Sequence, residues 1–257
     1  MADKVLKNKP LVEAIFEIKW ALASPQPGIL IDPHYKIFLG RLYDKVIEEY
    51  PEHEQLPSAS VPDEIVGHVV QHRFRKSLNG WPLLQVGPGI LTVNDTYNYL
   101  WTDFKERSID AINKLYEAYP KVTQLQIESL LLRYIDAVEF DHTHENIIDF
   151  LREKMKVDIK LPSGLFTEGI RSRPKVFNWQ ASFEVLHPRG IANVRFATGQ
   201  KSNKPSLVWE TIVESQKNDI PQMPEKINEW LESAHTITHD WFFTLIEGEL
   251  ERRFSGE

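Results

Sequence analysis

The search for chemistry opens on two histidines four residues apart. His235 and His239 fall at i and i+4 in a segment of helical periodicity, which puts both imidazoles on one helical face, as a zinc pair requires. Thr-Ile-Thr separates them, so the glutamate of a helical zinc-protease motif is missing and no third ligand is evident. They are metal candidates with an incomplete shell; the alternative is two polar side chains flanking a buried stripe. His142 and His144, set between Asp141 and Glu145, could collect a metal or merely form a polar helix-entry turn. His68 and His72 share a strand face but stand roughly 13 Å apart at ordinary strand rise, too far to share a ligand. Asp136 has the strand parity of Leu132, Tyr134 and Val138, which places a carboxylate on an apolar face. Such a group needs a partner or a raised pKa, unless a bulge turns it outward.

Other chemistries lack their signatures. There is no phosphate-binding G-x-x-x-x-G-K-[ST], no dinucleotide G-x-G-x-x-G and no G-x-S-x-G elbow. Gly87-Pro88-Gly89 reads as a strand turn, because no helix follows to offer its amides to a phosphate. The chain of 257 residues has no cysteine, which removes disulfides, thiolate nucleophiles and thiolate metal sites together. No cofactor is expected.

Charge is unevenly spread. The net charge is −7, a poor match to a general polyanion binder. Yet between Ile170 and Pro205 seven bases face one acid, Glu184, and from Glu210 onward eleven acids face four bases. Arg171, Arg173, Lys175, Arg189 and Arg195, interleaved with Phe177, Trp179 and Phe183, suggest a basic aromatic sheet surface; Arg73, Arg75 and Trp81 repeat this on a smaller scale. The opposing reading is a solvated sheet face with cross-strand pairs.

The elements that must position these residues follow from periodicity. Leu11–Trp20 alternates as a strand, Asp32-Pro33 opens a helix that Pro51 stops, and residues 52–64 read as a loop. Val66–Arg75 and Trp81–Val86 form a hairpin about Asn79-Gly80, and Ile90–Val93 adds a strand. Asp103 caps a helix ended by Pro120. The pattern then begins again: strand Leu125–Phe140, a short helix at 147–151, a loop over 156–175, strands Val176–Leu186, Ile191–Ala197 and Leu207–Val213, and a last helix from Pro224. The expectation is an α+β protein of two β-α-β-β-β-α halves, 1–122 and 123–257, forming antiparallel sheet with helices packed on one face. That order is similar to the duplicated saddle of TATA-binding proteins, a likeness of topology without functional content.

The opening Asn8-Lys9-Pro10-Leu11-Val12-Glu13-Ala14-Ile15-Phe16-Glu17-Ile18 resembles that of a sporadically distributed family of uncharacterised bacterial proteins, whose usual start is Asn-Pro-Pro. Here Lys9 replaces the first proline. Gly87-Pro88-Gly89, Tyr99-x-Trp101-x-x-Phe104, Leu132-Arg133-Tyr134-Ile135 and His235 carry the resemblance further. It implies a bacterial protein linked to mobile or defence genes and supplies no catalytic residues.

Met1–Lys7 shows no signal-peptide pattern, and no apolar run nears the ~20 residues of a membrane span, so a cytoplasmic protein is expected. The leading functional expectation is a non-enzymatic binding or regulatory protein that meets a partner protein through the basic sheet surface, nucleic acid being a further candidate and self-association open. The alternatives are a nucleotide or small-ligand binder, with its cavity between the sheet and the last helix, and a hydrolase assembled from scattered His, Asp and Glu.

Overall fold

A computed structural model describes residues 6–62, 67–96 and 98–257. Its frame is one antiparallel sheet. In chain order the strands are β1 (Leu11–Trp20), β4 (Glu52–Gln55), β5 (His72–Arg75), β6 (Leu83–Gly87), β7 (Ile90–Asp95), β8 (Ile127–Glu139), β9 (Asn178–Leu186), β10 (Arg189–Lys201) and β11 (Lys204–Gln216). β2 (Ala23–Gln26) and β3 (Ile29–Ile31) pair separately as a small ribbon. The helices are α1 (Tyr35–Val46), α2 (Trp101–Ala118), α3 (Ile147–Met155), α4 (Ile227–Ile246) and α5 (Glu249–Ser255). The strand order is β4-β5-β6-β7-β1-β8-β11-β10-β9. Outward from the central β1–β8 pair, one side runs β7, β6, β5, β4 and the other β11, β10, β9. The protein is thus α+β, with a nine-stranded antiparallel sheet under helices.

Alternation explains which face the helices cover. Ala14, Phe16, Ile18 and Trp20 of β1 are fully buried and belong to one core cluster with Leu130 and Leu132 of β8, Phe38 and Leu42 of α1, and Phe104, Ile112 and Leu115 of α2. Trp230, Leu231 and Ala234 of α4 complete it. A second cluster gathers Val138, Leu207 and Trp209 of the sheet with Ile147 and Leu151 of α3, Ile246 of α4, and Leu250 and Phe254 of α5.

Local departures from expectation have identifiable causes. Asp32 does not cap the first helix directly: its Oδ1 accepts from the His34 amide, and the helix starts at Tyr35. The next helix starts at Trp101, two residues before Asp103, which sits in its first turn. The last helix starts at Ile227, not Pro224. Residues 52–55 form β4 because β5 offers them a free edge. The strand expected from Val66 shrinks to His72–Arg75; Val66, with Met1–Val5, lies outside the described residues, and His68 has φ 59°, which breaks extended pairing. β10 and β11 run well past their expected ends because Ser202 and Asn203 both take positive φ, the two-residue turn that matches strand twist. Among the described residues no helix is long and apolar enough to cross a membrane.

Candidate functional site

Three apolar stripes are interrupted at one level. Along β8 the helix-facing residues read Leu130, Leu132, Tyr134, Asp136, Val138; the first three belong to the first cluster and Val138 to the second. Along β11, Thr211 lies between Val213 of the first cluster and Trp209 of the second. Along α4, His235, Thr238 and His239 lie between Ala234 and the Phe242–Phe243 pair. The breaks align because Thr211 sits opposite Tyr134 and Trp209 opposite Asp136 in the β8–β11 register.

A cleft of about 320 Å³ occupies this level. Tyr134, Asp136 and Thr211 form its floor, and α4 covers it with His235, Thr238, His239, Phe242 and Phe243. The segment Leu6–Leu11 makes one wall, and Tyr99–Thr102, where β7 leads into α2, the other. The size lies at the lower end of the range for small-molecule sites, and the mix of aromatic surface with a few polar groups is typical of them.

The polar groups divide into two sets. One is closed on itself. The Tyr99 and Tyr134 hydroxyls hydrogen-bond at 2.7 Å, and the Tyr134 hydroxyl meets His235 Nδ1 at 3.1 Å. The His235 ring stacks on Trp101 with centroids 3.8 Å apart and planes inclined by 11°. Lys9 donates to the Tyr99 carbonyl, and burial pushes its ammonium down from the usual lysine range. The other set faces the cleft: Asp136 Oδ2, Thr211 Oγ1 and His239 Nε2 are buried and make no hydrogen bond among the described residues. Burial pushes the Asp136 carboxyl up to about 8, with the Lys201 charge pulling the other way. At neutral pH this acid is mostly protonated and can donate.

Neither an ion pair nor an outward bulge accounts for Asp136, which is 2% exposed. His235 and His239 both line the cleft, with ring centroids 5.6 Å apart, and among the described residues no three His, Asp or Glu side chains gather as a metal set. His144 pairs locally with Asp141 at 2.7 Å.

The basic residues do not share one surface. Arg195 and Arg73 point to the sheet face opposite the helices. There Glu210 binds Arg195 at 2.8 Å and Arg133 at 2.6 Å, while Glu54 takes Arg73 at 3.3 Å and Arg75 at 3.2 Å. A ladder continues from Arg73 through Gln85 and Asn94 to Glu13. Trp179 lies on the helix side, 5.8 Å from Phe196. Arg171, Arg173 and Lys175 precede β9, and Arg189 follows it, so nine residues of strand, roughly 30 Å, separate them. Alternation and internal pairing thus divide these residues: Arg73, Arg75 and Arg195 are ion-paired on the face away from the helices, and Trp179 lies on the other.

Sequence reasoning singled out Asp136, His235 and His239 but not Thr211, Lys9 or the aromatic walls. Of the residues that carry the expected resemblance, Pro10, Leu11, Tyr99, Trp101, Tyr134 and His235 line this cleft.

No protein-family model matches the chain, and no curated protein matches it. Similar solved structures include DynU16, a protein of the dynemicin biosynthetic locus, at 11% identity over 90% of this chain and 97% of that one, with TM-score 0.23. The di-domain ARO/CYC BexL of the BE-7585A biosynthetic pathway aligns at 12% identity over 92% and 99%, with TM-score 0.21. Scores this low carry no argument about fold or function.

Proposed function

We propose that this protein is a non-catalytic small-ligand binder whose ligand lies in the cleft between α4 and the sheet, largely apolar in body and polar where it meets Asp136 and Thr211. The observation that carries this reading is the coincident polar break in three otherwise apolar stripes. A folding core gains nothing from it, since a buried unpaired polar group costs about 1–3 kcal/mol. A ligand that satisfies those groups recovers that cost on binding. The convergence of the resemblance-bearing stretches on the same walls adds support. For the competing expectation, a macromolecule on a basic sheet surface, the bases without an ion pair among the described residues are Arg171, Arg173 and Lys175 before β9 and Arg189 after it.

The test uses N-phenyl-1-naphthylamine, a fluorescent apolar probe, with a variant that fills the cleft. Thr211→Phe directs a ring into the empty floor and leaves the surface unchanged. The expected result is saturable one-to-one binding to the natural protein and at least about tenfold weaker binding to the variant, at an undiminished melting temperature. Equal binding to a well-folded Thr211→Phe variant refutes the reading.

A further inference from the structure

We infer that the ligand of this cleft carries an amine, its ammonium seated on the Asp136 carboxylate and its apolar body against the rings of Tyr134, Phe242 and Phe243; this rests on the cleft being the binding site. Three observations carry it. First, Asp136 Oδ2 is buried, borders the cleft and makes no hydrogen bond to protein. Second, among the described residues no lysine pairs with it. Lys201, reaching in from β10, donates to the Pro10 carbonyl at 3.1 Å, and Lys9 donates to the Tyr99 carbonyl. Third, aromatic side chains line the space, and ring faces attract a desolvated cation. An anionic ligand would hold Asp136 in its uncharged, protonated form and gain no ion pair from it, and a wholly apolar one would leave the carboxyl and the Thr211 hydroxyl unsatisfied. A primary ammonium has three donors, enough for Asp136 and Thr211 together.

The groups facing Asp136 define the pH response. They are Lys201 from β10, Lys9 from the opening segment, and His235 and His239 from α4. The carboxyl, held up to about 8 by burial, must release its proton to receive a cation. Amine affinity therefore rises with pH while the acid is still protonated and levels off once it is ionised. Between about pH 7 and about pH 9, above the ordinary imidazole range, the gain is about tenfold.

The experiment titrates 2-phenylethylamine and its neutral counterpart 2-phenylethanol into the full chain by calorimetry. Expected at about pH 7 is at least tenfold preference for the amine, with one proton released per amine bound, seen by repeating the titration in buffers of different ionisation enthalpy. Asp136→Asn, which keeps the shape of the protonated acid, should abolish the preference and the proton release while still binding the alcohol. If the alcohol binds as well as the amine, or Asp136→Asn leaves the preference intact, the amine inference falls and the cleft reading stands. If neither compound binds, both fall. The proton count and pH profile of the natural protein decide the matter even if the variant fails to fold.

Discussion

Two aspartates are buried on the helix side of the same sheet, and the protein treats them in opposite ways. Asp32, 7% exposed, receives three donors: Trp20 Nε1 at 2.9 Å, the Tyr119 hydroxyl at 3.0 Å and the His34 amide at 2.9 Å. Trp20 meets Phe38 and Tyr119 edge to face and those two rings tilt against each other, with centroids 5.7–6.1 Å apart. Asp136 is buried more deeply and has an empty cleft where those partners would be. The first carboxyl is a joint, tying the end of α2 to β1 and to the entry of α1. The second is a socket. Burial alone does not separate the two; the count of partners does.

The largest effect expected from breaking this contrast is at the joint. Asp32→Ala strands the Trp20 and Tyr119 donors in a packed core and should cost about 3 kcal/mol or more, read as a lowered denaturant midpoint at unchanged slope. A loss under about 1 kcal/mol would show that the joint is not needed.

The socket should respond with the opposite sign. The folded-state pKa of Asp136 lies above its unfolded value of about 4, so the unfolded chain gives up this proton first. Its contribution to stability is therefore greatest below about pH 4, falls as pH rises toward about 8, and is flat beyond. Asp136→Asn does not titrate. The variant should match the natural protein near pH 4 and exceed its unfolding free energy by a few kcal/mol near pH 8. A pH-independent difference between the two would contradict the burial argument.

The smallest effect belongs to Thr211. Thr211→Val keeps the shape and removes a buried hydroxyl that has no partner. Stability should stay level or rise by up to about 1 kcal/mol, because nothing in the protein is left unpaired. Destabilisation beyond that would mean the hydroxyl already serves the fold.

The sequence makes some of this legible. Alternation along β1 and β8 identifies two strands and the face each buries, and it exposes Asp136 as out of place. Other features depend on partners far along the chain. Nothing local to Arg195 announces that Glu210 will sit across from it, and nothing near Thr211 announces that its level coincides with Asp136 and His235. The 52–55 strand forms only because β5 leaves an edge open, and its Glu-His-Glu-Gln composition argues against it. Charge counts mislead for a related reason: they ignore that neighbouring strand residues point to opposite faces.

The position of β1 governs the order in which the molecule can be made. It is the first strand of the chain, yet it lies fifth of nine in the sheet, between β7 and β8. Its two ladders join Phe16 to Val93 and to Leu132, so the strand emerges early and waits for one partner fewer than eighty residues downstream and for a second more than a hundred residues downstream. Until β8 is synthesised, one edge of a strand carrying Phe16, Ile18 and Trp20 stays open. High sequence separation at the centre of the sheet makes for slow folding and a long exposure of that edge to wrong partners. Sheet completion is therefore gated by the β1–β8 pairing, not by the hairpins on either side of it.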